Sequence, residues 1–156
     1  MSGDKKFLIS DASALRLMRP EDHAFVVNSW LKSHKECNFR KANGKDFFAC
    51  HAPVVRKLIA ESTIKLVACD PEDIDLIQSW IVADVRGDNI PVVHYLYTKD
   101  IYRHLGIATA LFKSATSGSQ RVACTHLGHA YDDVKHKFQD VVEIFYDPHS
   151  IITREK

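Results

Sequence analysis

The run Arg103-His104-Leu105-Gly106-Ile107-Ala108 has the residue types and order to hold an anion. Ahead of it, Val92-Val93-His94-Tyr95-Leu96-Tyr97-Thr98 is β-branched and aromatic, a strand pattern. After it, Ile107, Ala108, Leu111 and Ala115 recur at helical spacing. The first N–H groups of a helix have no partner inside it and carry the positive end of the helix dipole. A glycine at that point lets the backbone approach a phosphate closely, and Arg103 supplies a permanent cation. The stretch therefore reads as a phosphate-binding loop. His34, Cys37, Cys50 and His51 are also zinc-competent, but the adjacent Cys50-His51 pair suits a tetrahedral site poorly, and no metal is expected.

The elements that must position this loop follow from the pattern along the chain. Ala14 to Met18 can form a first strand, and Arg19-Pro20-Glu21-Asp22 marks a helix start. Ala24, Val27 and Leu31, flanked by Val26 and Trp30, give that helix its apolar stripe. Asn38 to Lys45 is a polar connection with a turn at Asn43-Gly44, and a second short helix is expected from Pro53, with Val54, Val55, Leu58 and Ile59 inward. Strands are expected over Thr63–Cys69, Ile74–Val85 and Ile90–Thr98, the last two joined by a hairpin at Arg86-Gly87-Asp88-Asn89. A helix from Gly106 to Thr116, a strand over Arg121–Thr125, a helix over Gly128–Phe138 and a strand over Val141–Tyr146 complete the order β-α-α-β-β-β-α-β-α-β. This is a mixed α/β sheet. The chain of 156 residues is expected to be one domain over 1–156, with its core over 14–146. A net charge of +1 argues against nucleic acid as partner, and no apolar run is long enough to span a bilayer. Cys37, Cys50, Cys69 and Cys124 form no CxxC pair and read as reduced thiols of a cytoplasmic protein.

The element order and the run from Arg103 to Ala108 resemble the GNAT superfamily of acyl-CoA-dependent N-acyltransferases, whose signature is Arg/Gln-x-x-Gly-x-Gly/Ala. The lead-in from Leu96 to Tyr102 is similar to the family's L-x-V-x-P-x-Y run, with Thr98 in place of valine and Asp100 in place of proline. The compact size and the Tyr-Asp-Pro ending are also similar to small acetyltransferase-like proteins of tailed phages. The resemblance implies a GNAT-like fold with acetyl-CoA as acyl donor. The backbone of Leu96, Tyr97 and Thr98 would pair with the pantetheine arm, and the amides of Arg103, His104, Leu105, Gly106, Ile107 and Ala108 would hold the pyrophosphate.

Amide formation by acyl transfer needs a neutral amine, a group to take its proton, a donor for the oxyanion and a proton for the departing thiolate. No enzyme nucleophile is required. His94 is the candidate base, acting directly or through water, because some family members place a catalytic His or Glu in this region and imidazole exchanges protons near neutral pH. Tyr131 is the candidate acid, although the register that aligns Phe138 with the family pattern puts Asp133 at the tyrosine position. Asp133 and His126 are polar groups of the same region with no assigned role. The basic stretch Lys32, Lys35, Arg40, Lys41 and Lys45 reads as a solvated loop, and Trp30 and Trp80 as core aromatics. The implied function is transfer of an acetyl group from acetyl-CoA to a primary amine on a small molecule or protein. The alternative is a GNAT-fold binding or structural protein with weak or no catalysis, such as a phage virion component. Homo-oligomer and virion assembly both stay open.

Overall fold

The computed structural model describes residues 6–126, 128–138 and 141–150, excluding the side chains of Lys6, His129, Ala130, Tyr131 and Asp133. Among the described residues seven strands lie side by side in sequence order: β1 (Lys6–Ser10), β2 (Ser13–Leu17), β3 (Ile64–Asp70), β4 (Asp73–Val85), β5 (Pro91–Thr98), β6 (Arg121–Cys124) and β7 (Glu143–Tyr146). Neighbours are antiparallel from β1 to β5 and parallel from β5 to β7. The mixed α/β sheet expected from the pattern is present, with the strand β1 added at its edge. Phe7 and Leu8 of β1 are mostly exposed.

The helices divide between the two faces. On one, α1 (His23–Asn38) and α2 (Gly44–Glu61) cover Val67, Trp80, Val82 and Tyr95. On the other, α3 (Ile107–Thr116) and α4 (His129–Phe138) cover Ile81, Ala83, Val93, Leu96 and Val122. Alternate residues of β4 therefore feed two separate cores, as the period of a strand requires, while in β5 the bulge at His94 sends Val93 and Tyr95 to opposite cores. Trp30 and Trp80 are both fully buried, 5.5 Å apart, and the Trp80 indole N–H donates to Ser29 Oγ at 2.9 Å. The hairpin at Arg86–Asn89 also forms, with Asn89 N–H donating to the Arg86 carbonyl and Asn89 at φ 67°.

Helix α2 corrects one expectation. It starts at Gly44, not near Pro53: Asn43 is its N-cap, its Oδ1 accepting from the Lys45 and Asp46 N–H groups. Pro53 sits inside the helix on its exposed side, where the Ala49 carbonyl that it deprives of a donor can bond to water instead. The signals at Asn43-Gly44 and Pro53 were physically sound, but each has two uses. Asn-Gly serves a cap as well as a turn.

Two buried polar arrangements hold the helices to the sheet. Arg16 of β2 grips Asp22 through two bonds of 2.7 and 3.0 Å and donates to the Ile74 carbonyl of β4, while the Arg19 N–H also donates to Asp22. Burial alone would push the Asp22 carboxyl up, but the Arg16 fork and the Arg19 N–H outweigh it and hold it below the usual range. His34 of α1 lies against Phe39, Phe47 and His51, with the Asn38 amide donating to its Nδ1 at 3.0 Å. Burial first, and the nearby His51 second, lower its pKa to about 4.

These arrangements make two predictions. Asp22→Ala strands a buried guanidinium and is expected to cost about 3–5 kcal/mol, read by denaturant unfolding; a loss under 1 kcal/mol, roughly a surface pair's worth, would contradict it. The depressed His34 pKa means the unfolded state binds the extra proton, so its contribution is complete above about pH 6.5 and is lost as pH falls towards about 4. In that window His34→Gln should flatten the fall of unfolding free energy by up to about 1.4 kcal/mol per pH unit, and an unchanged slope would contradict the burial argument.

Candidate active site

The site begins where two strands part. β5 pairs with β4 along its length, from Val85↔Pro91 to Ser79↔Thr98, with a bulge that leaves His94 between paired neighbours. With β6 it pairs only at Val92↔Ala123 and Val93↔Cys124, closed by the Thr125 N–H donating to the Val93 carbonyl at 3.1 Å. Beyond that point the β6-side edge of β5 runs unpaired by strand. The chain leaving β6 passes over Tyr95 at Gly128, where an added Cβ would sit 2.7 Å from the tyrosine oxygen. Tyr95 is itself fixed by stacking on Trp30 at 5.3 Å and by a 2.7 Å bond to Ser33 Oγ.

A cleft of about 260 Å³ occupies this fork. Leu96, Tyr97 and Thr98 border it from β5, and Arg103, His104, Gly106, Ile107 and Ala108 from the turn and first residues of α3. So eight of the nine residues expected at the cofactor line one cavity; Leu105 stands apart and is 65% exposed. Gly106 is the N-cap residue of α3 at φ 82°, in the left-handed region. A Cβ there would meet nothing within 4 Å, so this glycine answers to backbone conformation and not to packing. No side chain caps the helix, which leaves its first amides facing the cleft.

Arg103 has a second duty. Its Nε donates to the Thr98 carbonyl at 3.2 Å and its Nη1 pairs with Asp100 at 2.8 Å, clamping the short turn Asp100–Tyr102 against the end of β5. The sequence reading missed the opposite wall: Val134, His136 and Lys137 of α4 border the cleft, and Lys137 Nζ donates to Thr109 Oγ1 at 3.2 Å. This second cation beside the α3 N-terminus was hidden because α4 comes from a distant part of the chain. The Thr98 hydroxyl bonds Ser79 Oγ at 2.9 Å, and Ser79 donates on to the Tyr97 carbonyl at 2.6 Å, holding the end of β5 to β4.

The candidate catalytic residues fall differently. His94 has no exposed surface and does not border the cleft; its Nε2 lies 3.0 Å from Asp84 Oδ2 and its Nδ1 3.0 Å from Thr125 Oγ1. Any proton transfer by His94 therefore runs through its partners. The Tyr131 and Asp133 side chains lie outside the described residues. His126 lies at the fork, 2.9 Å from Thr125 Oγ1, its ring packed edge-on against Trp30 and His34. Burial, then the neighbouring His34, His94 and His51, push its pKa down to about 3. Asp84 accepts from the Thr63 N–H and hydroxyl on Oδ1; burial pushes its pKa up, but the bonds from His94 and Thr63 prevail and it is lowered. Among the described residues no group of three or more His, Cys, Asp or Glu is placed to hold a metal ion. None of the four cysteines forms a disulfide among the described residues, and no described helix is long and apolar enough to cross a membrane.

No protein-family model matches the chain, and no curated protein matches it either. Solved structures do. A "possible acetyltransferase" from Clostridium difficile 630 is similar with a TM-score of 0.51 at 14% identity, over 87% of this chain and 79% of that one. A structure described as histone acetyltransferase HPA2 and related acetyltransferase, from Corynebacterium glutamicum, has a TM-score of 0.52 at 13% identity, over 66% of this chain and 69% of that one. The GCN5-related glucosamine N-acetyltransferase region of a fungal β-N-acetylglucosaminidase has a TM-score of 0.50 at 17% identity, over 69% of this chain and 12% of that much longer one. At such identities the likeness speaks for the architecture alone. The chain has the fold of the GNAT acetyltransferases.

Proposed function

We propose that this protein is an acyl-CoA-dependent N-acyltransferase that moves an acetyl group from acetyl-CoA to a primary amine. The observation that carries the reading is the joining, in one cleft, of an unpaired strand edge and an uncapped helix N-terminus. The donor molecule has the matching parts. Its pantetheine arm is extended and bears amides, so it can complete the open edge at Leu96, Tyr97 and Thr98 as another strand would. Its pyrophosphate needs N–H donors and positive charge, offered from Gly106 to Ala108 with Arg103 and Lys137 nearby.

With the donor so held, its thioester lies toward the narrow end of the fork, near Ser33 and Tyr95. The amine attacks the thioester carbon, its proton is taken, and the thiolate departs. This direct route needs only positioning, a base and donors for the oxyanion. The burial of His94 rules out contact between its ring and the amine in this conformation. The acceptor is a primary amine, and the partner molecule carrying it is open to small-molecule and protein classes alike.

Calorimetry tests the reading. Acetyl-CoA should bind with measurable heat well below millimolar concentration, and silence at millimolar ligand would sink the proposal. Gly106→Glu should abolish binding by placing a carboxylate at the pyrophosphate position. Gly106→Ala, which adds about 1–2 kcal/mol of backbone strain but fills only open space, should bind more weakly yet detectably. Equal binding by all three proteins would move the cofactor elsewhere.

A further inference from the structure

A line of polar side chains crosses the interior behind the cleft: Asp84 of β4, His94 of β5, then Thr125 and His126 just past β6. The contacts are 3.0 Å from Asp84 Oδ2 to His94 Nε2, 3.0 Å from His94 Nδ1 to Thr125 Oγ1, and 2.9 Å from Thr125 Oγ1 to His126 Nδ1. Asp84, His94 and Thr125 are all buried. Polar groups set so deep cost stability unless each is paired, so a line running from a buried carboxylate to a ring at the fork invites a functional account.

With His94 neutral, the chemistry of the partners fixes the direction of every bond. An ionised carboxylate only accepts, so His94 carries a proton on Nε2. A neutral His94 then has a bare Nδ1, which accepts the single proton of the Thr125 hydroxyl. The Thr125 oxygen in turn accepts from His126, whose proton must sit on Nδ1. The consequence is that the lone pair of His126 Nε2 is left bare.

We propose that these four side chains form a proton relay in which His126 Nε2 takes the proton of the attacking amine and the resulting charge settles on His94. The proposal rests on the acetyl-transfer reading. As the nitrogen–carbon bond forms, the amine N–H bond breaks and its proton joins His126 Nε2. The His126 Nδ1 proton passes to Thr125 Oγ, and the proton that Thr125 held passes to His94 Nδ1. The end state is a neutral His126 carrying its proton on Nε2 and a His94 imidazolium against the Asp84 carboxylate. When Nε2 gives its proton to the departing thiolate or to solvent, the relay runs back to its starting form. His126 is thus the catalytic residue, and Thr125, His94 and Asp84 are positioning residues.

The relay explains an otherwise awkward placement. His126 is surrounded by His34 of α1, His51 of α2, and His94 and Tyr95 of β5, a setting hostile to a charge held on its own ring. Passing the charge to His94 removes it from that company and sets it beside a carboxylate 3.0 Å away. A recess of about 20 Å³, room for about one water molecule, is bordered by His126, Leu96 and Val134, the last two of which also border the cleft, so the proton of the amine reaches the ring through that water.

The test reads ring tautomers by nitrogen-15 NMR of the whole protein at neutral pH. The relay requires His126 to be protonated on Nδ1 and bare on Nε2, and His94 to be the reverse. Thr125→Val, which keeps the shape but removes the hydroxyl, should shift His126 to the Nε2–H form, and Thr125→Ser should restore the wild-type pattern. A wild-type His126 with a bare Nδ1, or a tautomer indifferent to Thr125→Val, overturns the relay and leaves acetyl transfer standing. Acetyl-CoA calorimetry on the same wild-type sample separates the two ideas. Required tautomers without acetyl-CoA binding overturn the acetyl-transfer reading, and with it the amine as proton source.

Discussion

The ladder between β5 and β6 has two parallel residue pairs, Val92↔Ala123 and Val93↔Cys124, and the rest of the molecule is shaped by how early that pairing stops. A strand edge left unpaired inside a protein must find other partners or face a cavity, because backbone N–H and C=O groups are costly to strand. Here the edge faces a cleft closed at one end by the N-terminus of α3, itself a row of unpaired donors. Both features are deficits of hydrogen bonding. They become a binding surface because one extended, anionic molecule can satisfy both.

Keeping that fork open places demands on its surroundings. Tyr95 is wedged between the Trp30 ring and the backbone at Gly128, where any larger residue would collide with it. Arg103 and Ser79 tie the end of β5 so that it does not follow the chain into α3. On the far side of the sheet, the Arg16–Asp22 pair fixes the start of α1, which carries Trp30 and Ser33 to Tyr95. The two cores therefore support the fork from opposite faces: one positions Tyr95, the other seats α3 through Ile107, Leu111 and Phe112.

Much of this was legible in the sequence where the governing physics is local. The strand, the glycine and the helix around Gly106 are read from spacing, since each depends on neighbours a few residues away. The element order followed for the same reason. β1 was missed because a short edge strand with exposed Phe7 and Leu8 has no buried face to impose alternation. The start of α2 was misplaced because proline favours a first turn, yet is tolerated inside a helix when the carbonyl it strips of a donor faces water. Eight of the residues expected at the cofactor line one cleft because they are nearly contiguous in sequence, whereas Lys137 arrives from α4 and left no local signal. The line from Asp84 to His126 was beyond reach. Its members come from two strands and from the turn after a third, and they meet only through sheet register and a bulge, so His94 was seen as a base in its own right and His126 as a residue without a role.

The central claim is that the open edge of β5 and the amides of α3 together accept one acyl-CoA molecule. A crystal structure of the protein grown with acetyl-CoA tests it most directly. The account predicts the pyrophosphate against the amides from Gly106 to Ala108 and the pantetheine arm hydrogen-bonded along Leu96 to Thr98. A cofactor bound elsewhere, or a fork that stays empty at saturating acetyl-CoA, would contradict it.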